Sequence, residues 1–310
     1  MQSISTATAY NTVLNNLMTA EAQESQISAQ VSSGENATDL KGYASSAETL
    51  IAMQNVQGQI TGYLNSGQIL TAKLSAQDTA LGQIGDSVTS ATTAITNALA
   101  AGDGDTLMQA LQSAFDNAVQ GLNSTFNGQY LFAGGQVNTQ PVTATSLSSL
   151  TSAPSIASLF NNDQVIQTAQ VNQNTTLQTG FLASSLGTNL FTTFQAIAAY
   201  DQGPNGPFSG TLTQAQTTFL QGQIASLNAE STAMNTTSGQ NGLVQSEVAS
   251  AQTDLSNQQT TLQTLTGNIA NTNMAQAASN LQQAQLAVQA SAKVFAALEN
   301  SSLVTLLPTS

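Results

Sequence analysis

The chain has 310 residues with three lysines, no arginine, no histidine, no cysteine and sixteen acidic residues, which give a net charge of −13. Without histidine and cysteine it cannot build a Cys/His zinc site, an iron–sulfur cluster or a Ser-His-Asp triad. Three scattered lysines cannot neutralise a row of phosphates, so we expect no nucleic-acid partner. The composition therefore argues against an enzyme and against a bound cofactor.

The N-terminal segment predicts a helix from Tyr10 to Val31 that ends at Ser33-Gly34. Its apolar residues step by three and four and form one stripe. The stripe consists of Tyr10, Val13, Leu17, Ile27 and Val31. The opening residues show no basic stretch followed by an apolar one, so we expect no secretory signal peptide. Because no apolar run reaches the roughly 18 residues of a membrane span, we also expect no membrane insertion.

The strongest pattern in the chain lies between about Ala44 and Ala100, where heptads follow one another without a break. This pattern predicts one long helix with a coiled-coil-like seam. Such a helix would be about 85 Å long, which predicts a rod. The apolar seam positions are Met53, Ile60, Leu74, Leu81, Ile84, Val88 and Ile95. We expect this seam to pack against the C-terminal helix within the chain.

A turn follows this helix, and Asp105 is the predicted N-cap of the next one. That helix is expected to run from Thr106 to about Phe126, where Asn127-Gly128 would end it. The residues that follow, 129–133, are predicted to be extended.

The middle of the chain, residues 136–210, loses the helical period and contains four of the five prolines. Polar and apolar residues alternate from Val165 to Val171 and again from Leu177 to Phe181, which predicts a pair of strands. One helix is predicted from Leu186 to Tyr200. We interpret this region as a small mixed α/β outer domain inserted between helices.

The helical period resumes at about Leu212, with a first helix predicted to end near Met234 and a looser segment at Gly239–Gly242. A second heptad pattern follows, and its register shifts after Ile269, which predicts a break at Asn271–Asn273. The seam positions of this segment are Leu255, Leu262, Leu265 and Ile269.

The last predicted helix runs from Met274 to Leu298 and is rich in alanine and glutamine. Its apolar stripe consists of Met274, Leu281, Val288, Phe295 and Leu298. The partner positions of the stripe are small residues, which bury little area, so we expect this helix to be weak alone.

The heptad stripes allow two interpretations: an ordinary bundle within one chain, or surfaces that serve other subunits. We favour packing within the chain for the long seam and packing between subunits for the stripes at the two chain ends. The predicted fold class is mainly α, a coiled-coil-like rod of long helices with the inserted α/β domain. The predicted divisions are 1–43 (N-terminal assembly helix and loop), 44–135 and 211–273 (two halves of the rod), 136–210 (outer domain) and 274–310 (C-terminal assembly helix).

Several segments resemble a known family in their order and spacing. They are Ile4-Ser5-Thr6, the segment Tyr10–Leu17, the Gln-x-Ser-Ser-Gly motif of Gln30–Gly34, the segment Asn127–Gly135 and the segment Leu281–Ser291. In these segments the chain resembles the flagellin-like hook-associated proteins of the flagellin superfamily, which form the junction between the hook and the filament of the bacterial flagellum.

The resemblance implies an exported, non-enzymatic structural subunit that travels unfolded through the flagellar type III export apparatus and assembles outside the cell. It implies as partners copies of the chain, flagellin, another hook-associated protein on the hook side, and a cytoplasmic chaperone at the C-terminal helix. Flagellin itself, the bulk filament subunit, is the nearest alternative. A fibre protein of a phage or an injection system is a further one.

Overall fold

The computed structural model describes the backbone of residues 2–304 and the side chains of residues 8–299. The helices are α1 (Gln2–Ser33), α2 (Ala47–Ala101), α3 (Leu107–Leu122), α4 (Leu147–Ser152), α5 (Ala183–Gln202), α6 (Gln214–Ala270) and α7 (Met274–Val304). The strands are β1 (Thr125–Phe126), β2 (Gln129–Tyr130), β3 (Thr168–Gln170) and β4 (Thr176–Gln178), and two 3-10 segments lie at Leu40–Ser46 and Ile156–Leu159. Strands β1 and β2 form one antiparallel pair, and β3 and β4 form another. The predicted fold class, mainly helical with a small β-containing part, is confirmed.

The chain divides into two compact units. A terminal unit combines the residues up to Gln59 with those from Gln258 onward, and a central unit runs from Ile60 to Asn257.

The main core of the central unit joins α2, α3, α5 and the first half of α6. Helix α3 contributes buried apolar residues at helical spacing, among them Leu111, Phe115 and Leu122. The ring of Phe115 meets Phe191 and Phe194 of α5 at centroid distances of 5.2 Å and 5.8 Å. Aromatic burial of this kind supplies much of the stabilisation of a core.

A second, smaller cluster explains where the strand pair lies. Leu74 of α2 and Val248 of α6 are buried together with Val171, and Ala169 and Leu177 pack against them. Ala169 and Leu177 are directly opposite each other in the β3–β4 pair. The alternation in the sequence therefore reflects a hairpin that lays its apolar face on the central unit's two long helices, and the predicted strand pair is confirmed.

Two predictions around α3 were wrong. The helix ends at Leu122, and Asn127-Gly128 forms the turn between β1 and β2 with φ angles of 50° and 77°. Such positive φ values at both central residues are typical of a two-residue hairpin turn, which Asn-Gly favours as strongly as a helix end. Asp105 is not the N-cap of α3, since Thr106 occupies that position, and the Asp105 carboxylate accepts a hydrogen bond from the Gly210 N–H at 2.6 Å.

The predicted interruption of the C-terminal helical region between Met234 and Gly242 was also wrong, because α6 is continuous over 57 residues. An isolated glycine in a helix costs only about 1 kcal/mol. Buried side chains on both sides of the glycines, such as Met234 and Val248, hold the helix against its neighbours. The predicted break at Asn271–Asn273 is confirmed, since α6 ends at Ala270 and α7 begins at Met274.

Candidate functional site

Helices α1 and α7 pack against each other within the chain. The rings of Tyr10 and Phe295 meet at a centroid distance of 5.1 Å. Of the other members of the two predicted stripes, Met274 is 48 % exposed. The remaining ones are half-buried, and they are Val13, Leu17, Ile27 and Val31 in α1 and Leu281, Val288 and Leu298 in α7. The half-buried positions indicate that the two stripes face each other inside one chain, and their role as contacts to neighbouring subunits stays a prediction.

Small residues let α7 approach its neighbour closely. Among the side chains of α7 that the structure describes, Ala277 and Ala284 are buried, and they lie one heptad apart. An alanine buries little apolar area, so a helix pair of this kind gains less from packing than a leucine seam does. That the last helix is weak alone stays a prediction.

The outer surfaces of α1 and α7 carry exposed apolar side chains that the predicted stripes did not include. They are Met18 in α1 and Leu286 and Val294 in α7, of which Leu286 is 64 % exposed. The apolar residues available to a neighbour are therefore partly different from those that the periodicity singled out. The apolar period gave no signal for them, because each falls outside the heptad positions from which the stripes were read.

The two interruptions of the terminal unit, after α1 and after α6, are joined by hydrogen bonds. The Asn36 N–H donates to the Ala270 carbonyl at 2.7 Å, and the Thr272 N–H donates to the Gly34 carbonyl at 2.9 Å. The Asn36 side chain also donates through Nδ2 to the Ile269 carbonyl at 2.8 Å. The carbonyls at the end of α6 thus find donors in the loop after α1, as helix ends require.

Gly34 allows this arrangement because it adopts a φ of 76° directly after α1. Its N–H donates to the Gln30 carbonyl at 2.9 Å, as in the αL motif at a helix C-terminus. The Gln-x-Ser-Ser-Gly motif therefore has a structural explanation as the end of α1. The role of Asn36 was not predicted, since it depends on a partner more than 230 positions away in the sequence.

In the central unit the predicted seam residues are buried. This holds for Ile60, Leu74, Leu81, Ile84, Val88 and Ile95 of α2 and for Leu255 of α6. In the terminal unit the predicted seam residues Met53, Leu262 and Ile269 are half-buried and Leu265 is exposed. The sulfur of Met53 lies 3.9 Å from the hydroxyl of Thr266. The seam is therefore far better covered in the central unit.

Polar side chains interrupt the apolar seam of the central unit. Gln77 and Asn241 are completely buried, and Nδ2 of Asn241 donates to the Leu74 carbonyl at 3.0 Å. Both polar atoms of Gln77 lack a hydrogen-bond partner among the described residues. Glu230 is buried as well, and this burial raises the pKa of its carboxyl above the usual range. Buried polar groups cost stability, so this seam is not optimised for stability alone.

The described residues contain nothing that indicates metal chemistry or a membrane span. Acidic side chains nowhere gather there in a group of three or more that could hold a metal ion. In the same part of the chain, no helix is both long and apolar enough to cross a membrane.

Both ends of the chain match a known family. Residues 4–137 match the bacterial flagellin N-terminal helical region, and residues 214–307 match the bacterial flagellin C-terminal helical region. No curated protein sequence matches the chain.

Solved structures share the fold, and two of them serve as examples. One is of a protein described as a flagellar hook-associated protein from Vibrio parahaemolyticus, with 13 % identity and a TM-score of 0.59. The match covers 73 % of this chain and 97 % of that one. The other is FlgL of Bacillus cereus, with 14 % identity and a TM-score of 0.52, covering 71 % of this chain and 99 % of that one. At these identities the similarity establishes the fold alone.

Proposed function

The chain belongs to the flagellin family, and from this membership we propose that it forms the layer of subunits that joins the hook to the filament. The family consists of structural, non-enzymatic proteins, so the chain is a structural component of the flagellum. The observation that carries the finer assignment is the fold match, which spans 97 % and 99 % of two proteins described as hook-associated or as FlgL. The alternative is flagellin, whose terminal regions the chain also matches.

In the proposed layer, the pair of α1 and α7 is the assembly surface. Its outer face presents Met18, Leu286 and Val294, apolar side chains that a neighbouring subunit would remove from water. Most of the remaining surface of these helices is uncharged and polar, so identical copies approach without strong like-charge repulsion. A repeated contact between different faces of identical subunits produces a ring or a helical layer. Copies of the chain, flagellin and a hook-side hook-associated protein are the proposed neighbours.

The proposed route to this location is export of the unfolded chain through the flagellar type III apparatus, followed by assembly outside the cell. The chain contains no cysteine, so no disulfide bond has to be avoided or broken during transit. A cytoplasmic chaperone would cover the stripe of α7 before export. That stripe lies against α1 in the folded chain, so an unfolded chain exposes it.

Deletion of the gene separates the junction protein from flagellin. We expect the deletion strain to keep its hooks, to lack filaments and to release flagellin monomer into the medium. Complementation with the full chain should restore the filaments. A strain that lacks flagellin monomer altogether would instead identify the chain as flagellin. A strain with normal filaments would refute both assignments and favour a fibre protein of another assembly.

A further inference from the structure

Lys73 of α2 is a half-buried cation in the central unit. Its ammonium group donates a hydrogen bond to Oε1 of Gln167, which is a neutral amide. Among the side chains that the structure describes, no carboxylate forms an ion pair with it. Burial lowers the pKa of Lys73. An ammonium group has three donors, so at least one is left for a further acceptor.

Lys73 and its acceptor Gln167 line a small open cavity of about 160 Å³ between α2 and the β1–β2 hairpin. Phe126, Tyr130 and the turn residue Asn127 line the hairpin side, and Ile69 lines the helix side. Ile69 stands one helical turn before Lys73 and is 61 % exposed. The cavity thus combines one partly desolvated positive charge, an amide and an apolar rim, and an ammonium group in such surroundings favours a carboxylate as its further acceptor.

The charge balance of the chain indicates which partner carries that carboxylate. The chain has sixteen acidic residues and only three lysines, so a second copy offers many carboxylates and few competing cations. On the central unit alone, exposed acidic side chains include Asp78, Asp86, Asp116, Glu247 and Asp254. A partly desolvated cation gains more from an opposite charge than a fully hydrated one does, because the effective dielectric constant is lower.

We propose that the Lys73 cavity receives an acidic side chain of a neighbouring copy of this chain, which pairs with the ammonium group and packs against Ile69. The inference rests on the proposed function, because assembly is what brings copies together. It adds a contact of the central unit to those of the α1–α7 pair.

Zero-length cross-linking of sheared flagella tests this contact on the assembled protein. A carbodiimide joins an amine only to a carboxylate that touches it, and because the chain has only three lysines, the cross-links of Lys73 are assignable by mass spectrometry. We expect a product of twice the chain mass of 31.8 kDa that contains only peptides of this chain, with Lys73 linked to an aspartate or a glutamate. Higher salt during the reaction should lower its yield, since an ion pair at a surface is screened.

Two variants make the result specific. In Lys73→Gln the double-mass product that runs through Lys73 should be lost, because a glutamine amide cannot replace the amine that forms the cross-link. In Lys41→Gln, which removes an exposed lysine of the terminal unit, it should remain. Both variants should melt within about 2 °C of the parent chain, which shows that they fold.

The outcomes separate this inference from the function on which it rests. The inference is overturned if Lys73 in assembled flagella stays unlinked, is linked only within its own chain, or is linked only to another protein. In each of these cases the chain is still present in the flagella, so the proposed function stands. Absence of the chain from sheared flagella would overturn both.

Discussion

The substitution Leu81→Asp tests the packing of the central unit most sharply. Leu81 is 2 % exposed and lies in the main core. Next to it, α3 approaches α2 so closely that a Cβ added to Gly121 would come within 2.7 Å of Cγ1 of Ile84 and 3.1 Å of the Ala80 carbonyl oxygen. The helices are therefore in direct contact here, and water has no easy access to a buried carboxylate.

The magnitude follows from two contributions. Removing most of a buried leucine side chain costs about 2–5 kcal/mol. Burying a polar group without partners adds about 1–3 kcal/mol. We expect the free energy of unfolding to fall by at least about 3 kcal/mol, and the melting temperature to fall by at least about 6–12 °C for a unit of this size.

The assay is thermal and urea unfolding of the full chain, followed by far-ultraviolet circular dichroism. Leu243→Asp is the matched control, because it introduces the same charge at a leucine that is 68 % exposed on α6. We expect the control to change stability by no more than about 0.5 kcal/mol. Equal melting temperatures for the two variants would refute the assignment of Leu81 to the core.

Three further predictions follow from single features of the structure. Glu230→Gln should raise the melting temperature at neutral pH and lose this advantage in acid. Burial raises the pKa of this carboxyl in the folded chain, so the protonated Glu230 contributes fully to stability below the unfolded pKa of about 4.3. This contribution is lost as the pH rises through the folded pKa. A difference in melting temperature between the two chains that does not change with pH would contradict this. Asn36→Ala removes the hydrogen bond to the Ile269 carbonyl, which should cost about 1 kcal/mol and accelerate amide hydrogen exchange at Thr272 about fivefold. Unchanged exchange would show that the Asn36 side chain does not stabilise the segment between α6 and α7. Residues 60–257 expressed alone should keep a cooperative helical melting transition, because both core clusters lie within them, and a fragment without such a transition would show that the central unit depends on the terminal one.

The long helices could be predicted from the sequence because their apolar period survives the unusual composition. The same period located the break near Asn273, since a shift in the register of the heptad pattern indicates that a helix is interrupted there. The failures occurred where one local signal has two structural uses. Asn127-Gly128 ends a helix as readily as it turns a hairpin, and Gly239 lies in a helix that tertiary packing keeps intact.

The candidate site was accessible to prediction only in part. The stripes of α1 and α7 could be predicted, because all residues of each stripe lie within one segment of the sequence. The pairing of Asn36 with the end of α6 was not visible, since no local pattern shows which distant carbonyl an asparagine will meet. The same holds for Lys73, whose cavity exists only after the hairpin around Asn127 has folded onto α2.

Immunogold electron microscopy of purified flagella, with antibodies against this chain, tests the proposed function most directly. We predict gold particles in one narrow band at the boundary between hook and filament, with no label elsewhere along the filament. Label along the whole filament would contradict the junction assignment and identify the chain as flagellin. Flagella without any label, from cells that export the chain, would contradict its place in the flagellum.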